Sequence, residues 1–208
     1  MGKRVFLDNA ATTPMAPEII EMMCEMMKTN FANPSSVHSF GRESKIVVEN
    51  ARKTVADFLH TSPGNIFFTS GGTEADNMAI KCAIHDHKIT HAITSKLSHH
   101  AVLFPLEDLE KEGVIKLSFI NIDENGVVDL NHLKELLENN PRTFVSIMHA
   151  NNEIGTIQDI KAIGDICKEK NAIFHSDTVQ TIAHFPFDMK ELNIDFIAAS
   201  AHKFHGPK

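Results

Sequence analysis

The sequence predicts an α/β fold with a mostly parallel sheet covered by helices on both faces. Three observations predict it. First, short apolar runs alternate with helical-period patterns along most of the chain after residue 65. Strict alternation of strand and helix requires crossover connections, and crossovers make neighbouring strands parallel. Second, the 208 residues are 42% hydrophobic, which supplies apolar side chain for a sizeable core. Third, glycines and polar residues gather just after the apolar runs, where sheets of this kind bind ligands.

Taken in order, Val5-Phe6-Leu7 reads as a strand entering the polar turn Asp8-Asn9-Ala10-Ala11-Thr12-Thr13-Pro14. A Met-rich helix is predicted over 16–28, opened by Pro17 and Glu18, which suit a helix N-terminus. Its Met stripe is assigned to the core. Asn33-Pro34-Ser35-Ser36 marks a loop. Ile46, Val47, Ala51, Val55 and Phe58 recur at helical spacing and predict a helix over 41–59. Beyond the turn Ser62-Pro63-Gly64-Asn65, strands are predicted at 66–69, 91–95, 114–120, 143–148, 172–175 and 195–199. Helices are predicted between them at 73–85, 101–112, 130–138 and 160–170, with a turn at Asp123-Glu124-Asn125-Gly126. No internal repeat, low-complexity segment or linker is visible.

Several classes are excluded. A net charge of −7 provides no footprint for nucleic acid. No apolar run is long enough to predict a transmembrane helix. Met1-Gly2-Lys3-Arg4-Val5-Phe6 lacks the apolar centre of a signal peptide and is too short for a transit peptide, and Phe6 breaks the myristoylation pattern. Cys24, Cys82 and Cys167 lie in apolar helical patterns without a C-x-x-C, which predicts reduced core thiols and a cytoplasmic setting. A zinc site from His85, His87, His99 and His100 fits no strong ligand spacing, so no metal is assigned.

The chemistry is read at the strand ends. Ser70-Gly71-Gly72-Thr73-Glu74 opens a helix after the 66–69 run. Glycines admit close approach, and free N–H groups, the helix dipole and the Thr73 hydroxyl make a phosphate seat. A plain glycine turn with a Thr cap is the alternative. His99, after the 91–95 run, is placed to stack on a ring or move protons; a satisfied loop histidine is its alternative. His149-Ala150-Asn151-Asn152-Glu153 offers amides at another strand end, or a turn. Asp177 follows the 172–175 run, where an aspartate needs a partner or serves as a helix cap; a protonated pyridine nitrogen is a suitable partner. Finally, Ser200-Ala201-His202-Lys203-Phe204-His205-Gly206-Pro207-Lys208 places a lysine just past a buried apolar run. An apolar setting lowers a lysine's pKa and suits it to a Schiff base with an aldehyde, as in pyridoxal phosphate (PLP). Lys203 alone reads more readily as a surface lysine after an edge strand; the joint placement of the other groups at one sheet edge reverses that and favours the PLP reading.

These stretches resemble the cysteine desulfurases, NifS-like enzymes of the class V aminotransferase family. The resemblance is carried by residues 7–14, Asn33-Pro34-Ser35-Ser36-Val37-His38, residues 69–77, His149-Ala150-Asn151-Asn152-Glu153-Ile154-Gly155-Thr156 and residues 200–208. Asn151-Asn152-Glu153-Ile154-Gly155 and the closing segment are similar to the group I branch, which serves iron–sulfur cluster assembly, while the His99-His100 pair is more like the other branch. The resemblance implies the large domain of a fold type I PLP-dependent transferase over 16–208, with residues 1–15 joining a small domain. It implies that Lys203 holds PLP, that His99 stacks on its ring and assists proton transfer, and that Asp177 pairs with the pyridine nitrogen. Gln180 is implied as donor to the ring hydroxyl, Asn152 as a cofactor or substrate contact, and Gly72, Thr73, Ser200 and His202 as phosphate ligands. The implied reaction takes sulfur from L-cysteine, giving L-alanine and an enzyme persulfide. The implied partners are a second copy of the chain and an iron–sulfur scaffold or other sulfur acceptor. Family members are longer, and their nucleophilic cysteine lies on a loop that none of Cys24, Cys82 and Cys167 matches, so the chain is expected to be an N-terminal portion. A selenocysteine lyase, another class V aminotransferase, or a non-catalytic remnant of the fold are the alternatives.

Overall fold

A computed structural model describes residues 2, 4–140 and 142–208. Six helices and five strands are found among them: α1 Pro17–Thr29, α2 Ser39–Phe58, α3 Gly72–Asp86, β1 His91–Thr94, α4 His100–Lys111, β2 Lys116–Phe119, α5 Leu130–Glu138, β3 Thr143–Ser146, α6 Ile160–Glu169, β4 Ile173–Asp177 and β5 Phe196–Ala198. The chain forms two compact units. One comprises Thr69–Pro186 and Glu191–Ser200; the other comprises Met1–Phe68, Phe187–Lys190 and Ala201–Lys208.

The first unit holds the sheet. Its order is β2-β1-β3-β4-β5 and every pairing is parallel, as the strand–helix alternation requires. The order reverses between β1 and β3, so a crevice is expected outside their carboxyl ends. Side chains alternate between the two faces of a strand. One face carries the row Leu117, Ala92, Phe144 and Ile173, in register across four strands. Ile80, Ala83 and Ile84 of α3 and Val102 and Leu106 of α4 join these residues in a single apolar cluster. Each Ile, Leu, Val or Phe side chain among them contributes on the order of 1.5–3 kcal/mol when fully buried. The opposite-facing Ile93, Val145 and Phe174 are also fully buried, so both faces are covered.

The caps follow local chemistry. Asp129 accepts from the amides of Asn131 and His132 at the start of α5, and Asp159 accepts from Ala162 at the start of α6. The predicted turn at 123–126 is present: Asp123 accepts from Asn125 and Val127, and Gly126 takes φ +78°. The buried Gln158 then ties this turn down, accepting from Val128 N–H and donating to Gly126 O.

Two predicted strands are absent. Residues 5–7 and 66–69 lie outside any strand, and Leu7, Phe67 and Phe68 are exposed. A β-type run becomes a strand only when a neighbour takes its N–H and C=O groups, and none does so among the described residues. Arg52 instead lies over the Phe68 ring, 5.0 Å from its centre, and donates to Ile66 O.

In the second unit α1 buries no residue, and Met22 and Met27 are largely exposed. The Met stripe is therefore not a buried core: Met23 and Met26 are only half-buried. The cysteine expectation is corrected in the same way. Cys167 is buried, but Cys24 and Cys82 are exposed, because they sit on the outward sides of α1 and α3.

Candidate functional site

The sheet unit brings several predicted groups to the carboxyl ends of its strands. α3 begins at Gly71-Gly72, and its N-cap has no side-chain hydrogen bond. Glu74 turns back to accept from Ser70 N–H, which holds its carboxyl below the usual range and leaves the first-turn amides of α3 unclaimed by a cap. A Cβ built on Gly72 would stand 3.0 Å from Val179 Cγ2 and 3.7 Å from Ser200 Cβ. Gly72 therefore lets α3 start directly against Val179 and Ser200. Ser200, which is buried, thus lies beside the glycine of the predicted phosphate seat.

Asp177 is the last residue of β4 and is buried. The helix cap considered for it is not found, since no helix follows. It accepts from Val179 N–H at 3.0 Å, which turns the chain and leaves Gln180 half-buried. Thr178 fixes that turn on β5 by donating its hydroxyl to Ala198 O at 2.8 Å. His149 supports it from the segment after β3: its amide donates to Asp177 O, and its ring contacts Thr181 Oγ1 at 2.9 Å. Burial lowers the His149 pKa, which keeps the ring neutral.

His99 is exposed and caps α4, its Nδ1 accepting from Ala101 N–H at 3.1 Å. That bond leaves the proton on Nε2. His99 and Thr73 line one open groove of about 570 Å³ together with Asn77, Lys81, His100 and Phe104. Asn77 joins its walls, donating to Thr73 O and Ala101 O. Asn152 is exposed, whereas its neighbour Asn151 organises the loop: it donates to Leu97 O and accepts from Glu153 and Ile154 N–H. Asn151 thereby links the loops after β1 and β3, a role the sequence did not distinguish from that of Asn152.

Lys203 and His202 belong to the other unit, in the 3-10 turn Ala201–Lys203. Lys203 Nζ donates to Ala10 O. His202 Nδ1 contacts Thr12 Oγ1 at 3.0 Å, and burial with the charges of Lys203 and Lys208 lowers its pKa. Thr13, which is buried, donates through its amide and its hydroxyl to His202 O and accepts from His205 N–H. His205 Nδ1 donates in turn to Pro14 O. The polar turn at 8–14 is therefore a clasp on the lysine turn, a pairing that their separation in sequence concealed.

The donor set suits a phosphorylated, protonated heteroaromatic ligand. It offers uncapped helix amides and a serine beside a glycine, and a buried carboxylate at the end of β4. Among the described residues, no group of three or more His, Cys, Asp or Glu is arranged to hold a metal ion.

The chain is similar in sequence and fold to known proteins. Residues 5–208 match the family described as Aminotransferase class-V. The chain is 47% identical over 210 residues to "Cysteine desulfurase IscS" of Clostridium botulinum strain Hall, covering 100% of this chain and 52% of that protein. It is 46% identical over 209 residues to "Cysteine desulfurase IscS" of Methanosarcina thermophila, covering 100% and 51%. Among solved structures, a "NifS-like protein" superposes with a TM-score of 0.94 at 40% identity, over 99% of this chain and 57% of that one. A structure described as "SspA in complex with cysteine" superposes at 0.92 and 33% identity, over 98% and 58%. The chain thus spans about half the length of the curated relatives it matches. With a family match running nearly end to end and a parallel sheet that gathers its polar groups at one edge, the chain belongs to the aminotransferase class-V family.

Proposed function

We propose that this chain is the cofactor-binding part of a PLP-dependent cysteine desulfurase that takes sulfur from L-cysteine for iron–sulfur cluster assembly. The observation that carries the reading is the buried Asp177 carboxylate, in the sheet unit whose helix α3 opens with an uncapped glycine N-terminus beside Ser200. The names of the curated relatives support the choice of cysteine as substrate.

The residues divide the work by chemistry. PLP, when bound, supplies an electron-withdrawing ring. The amides of Gly72 and Thr73, with the hydroxyls of Thr73 and Ser200 and the His202 ring, bind its phosphate. Asp177 holds the proton on the pyridine nitrogen, and Gln180 donates to the ring hydroxyl. Lys203 provides the amine that attaches the cofactor. His99 covers the ring and moves protons through Nε2, the nitrogen that its capping bond leaves protonated. Asn152 contacts the cofactor or the bound amino acid. Sulfur leaves L-cysteine for an enzyme thiolate as a persulfide, and L-alanine is the other product.

Cys167 is not that thiolate, since burial and the Asp195 charge push its thiol up to about 12. Residues 1–15 would serve a small domain and 16–208 the large one. The working protein would be a cytoplasmic homodimer that hands sulfur to a scaffold or other acceptor. No helix among the described residues is long and apolar enough to cross a membrane.

The deciding test is borohydride reduction of the full protein incubated with PLP, followed by peptide mapping. The expected result is a pyridoxyl group on Lys203, with Lys203→Ala losing both the adduct and alanine release from cysteine. Alanine release that survives in Lys203→Ala would overturn the proposal.

A further inference from the structure

The sheet unit contains a buried polar row that the roles above do not use. Thr94, Ser146 and His175 are in register on β1, β3 and β4, between Phe119 and Phe196 at the two edges. This row lies on the face covered by α3 and α4, one layer above the apolar row of Ala92 and Phe144. It also lies one layer below Asp177, which follows His175 by two residues on the same strand and so shares its face. All three members are fully or nearly fully buried.

The row is hydrogen-bonded at each step. Thr94 Oγ1 donates to Ser146 O at 2.9 Å, so the 3.0 Å contact with Ser98 Oγ has the serine as donor. Ser146 Oγ contacts His175 Nδ1 at 2.9 Å. The His175 ring stacks on Phe144 at 5.9 Å, with 16° between the planes. Its other nitrogen, Nε2, lies 3.3 Å from Oδ1 of Asp76 on α3, and Asp76 is itself only 1% exposed. Neither atom has an aligned hydrogen bond, so the approach is an electrostatic contact between two buried groups that face each other. Such groups are costly to bury singly and acceptable together.

We infer that Asp76 and His175 are positioning residues for the cofactor site, an inference that rests on the PLP reading. The row reaches three elements that carry predicted cofactor contacts. Asp76 is four residues into α3 from Gly72. His175 is two residues before Asp177. Ser98 immediately precedes His99. One His–Asp contact and three hydroxyls therefore set the start of α3 and the end of β4 relative to each other, and tie in the turn that bears His99. The carboxylate facing Nε2 requires the proton on that nitrogen, so Nδ1 accepts from the Ser146 hydroxyl.

The test compares wild type with Asp76→Asn, Asp76→Ala, His175→Phe and Ser146→Ala in the full protein. Side-chain nitrogen NMR of His175 is expected to show the Nε2–H tautomer in wild type and a changed resonance in Asp76→Ala; an Nδ1–H tautomer overturns the assignment. PLP affinity, measured by absorbance, is expected to weaken about tenfold or more in Asp76→Ala and His175→Phe, the scale at which partners of ligating groups act. Asp76→Asn, which keeps an oxygen toward His175, is expected to recover part of that loss. Should Asp76→Ala or His175→Phe fail to fold, Asp76→Asn and Ser146→Ala, which change least volume, carry the comparison. Wild-type affinity in every folded variant overturns the inference while leaving the PLP reading intact. A wild-type protein that takes up no PLP overturns both.

Discussion

Thr13 and His202 join the two ends of the chain: the amide and the hydroxyl of Thr13 both donate to His202 O, at 2.8 and 2.9 Å. The same hydroxyl accepts from His205 N–H at 2.7 Å. One threonine thus holds the turn that contains Lys203 at two points.

Thr13→Val keeps the shape and removes both hydroxyl bonds, leaving a backbone N–H and part of a carbonyl unpaired in a half-buried place. A loss of about 1–3 kcal/mol is expected. Urea unfolding should register it, and limited proteolysis should cut the closing segment sooner than in wild type.

Gly72→Val should reduce PLP affinity by about tenfold, or about 1.4 kcal/mol, without unfolding α3. The added side chain would start 3.0 Å from Val179 Cγ2, beside Ser200, where the phosphate seat is proposed. Absorbance titration with circular dichroism as the folding control checks it. Unchanged affinity would remove Gly72 from the seat.

His91 makes stability fall in mild acid. Thr143 Oγ1 donates to Asn140 O, so His91 Nδ1–H donates to Thr143, and Nε2 accepts from Ser118. The ring is therefore buried neutral, and burial with the Lys116 charge lowers its pKa to about 4. The unfolded chain binds a proton near the ordinary value, while the folded chain does not until about 4. This contribution is thus fully present above about pH 6.5 and is lost as pH falls toward 4, amounting to roughly 2–3 kcal/mol. Denaturant midpoints at pH 7.5 and 4.5 should converge in His91→Gln relative to wild type.

The thiols should separate by burial. In the folded chain Cys24 and Cys82 are exposed and should react with a disulfide reagent at neutral pH, whereas Cys167 is buried with its thiol pushed up to about 12. Cys167 should label only after unfolding. Labelling of Cys167 in the folded protein would contradict its burial on α6.

The sequence determined the order of elements, because periodicity and capping are local. Alternating runs announced a parallel sheet, and the helix over 130–138 is found with those bounds. Local chemistry also marked Gly72, Asp177 and Lys203 as unusual residues at strand ends. Only the tertiary structure decided which runs became strands: residues 5–7 and 66–69 are as apolar as β1, but among the described residues no strand pairs with them. It alone decided that Met22 and Met27 of α1 stay exposed and that Asn151, rather than Asn152, holds the loop. The clasp of Thr13 on His202, and the meeting of Asp76 with His175, also required the folded chain. These pairs lie 189 and 99 positions apart, and a buried polar group reveals its purpose only through the partner that folding brings to it.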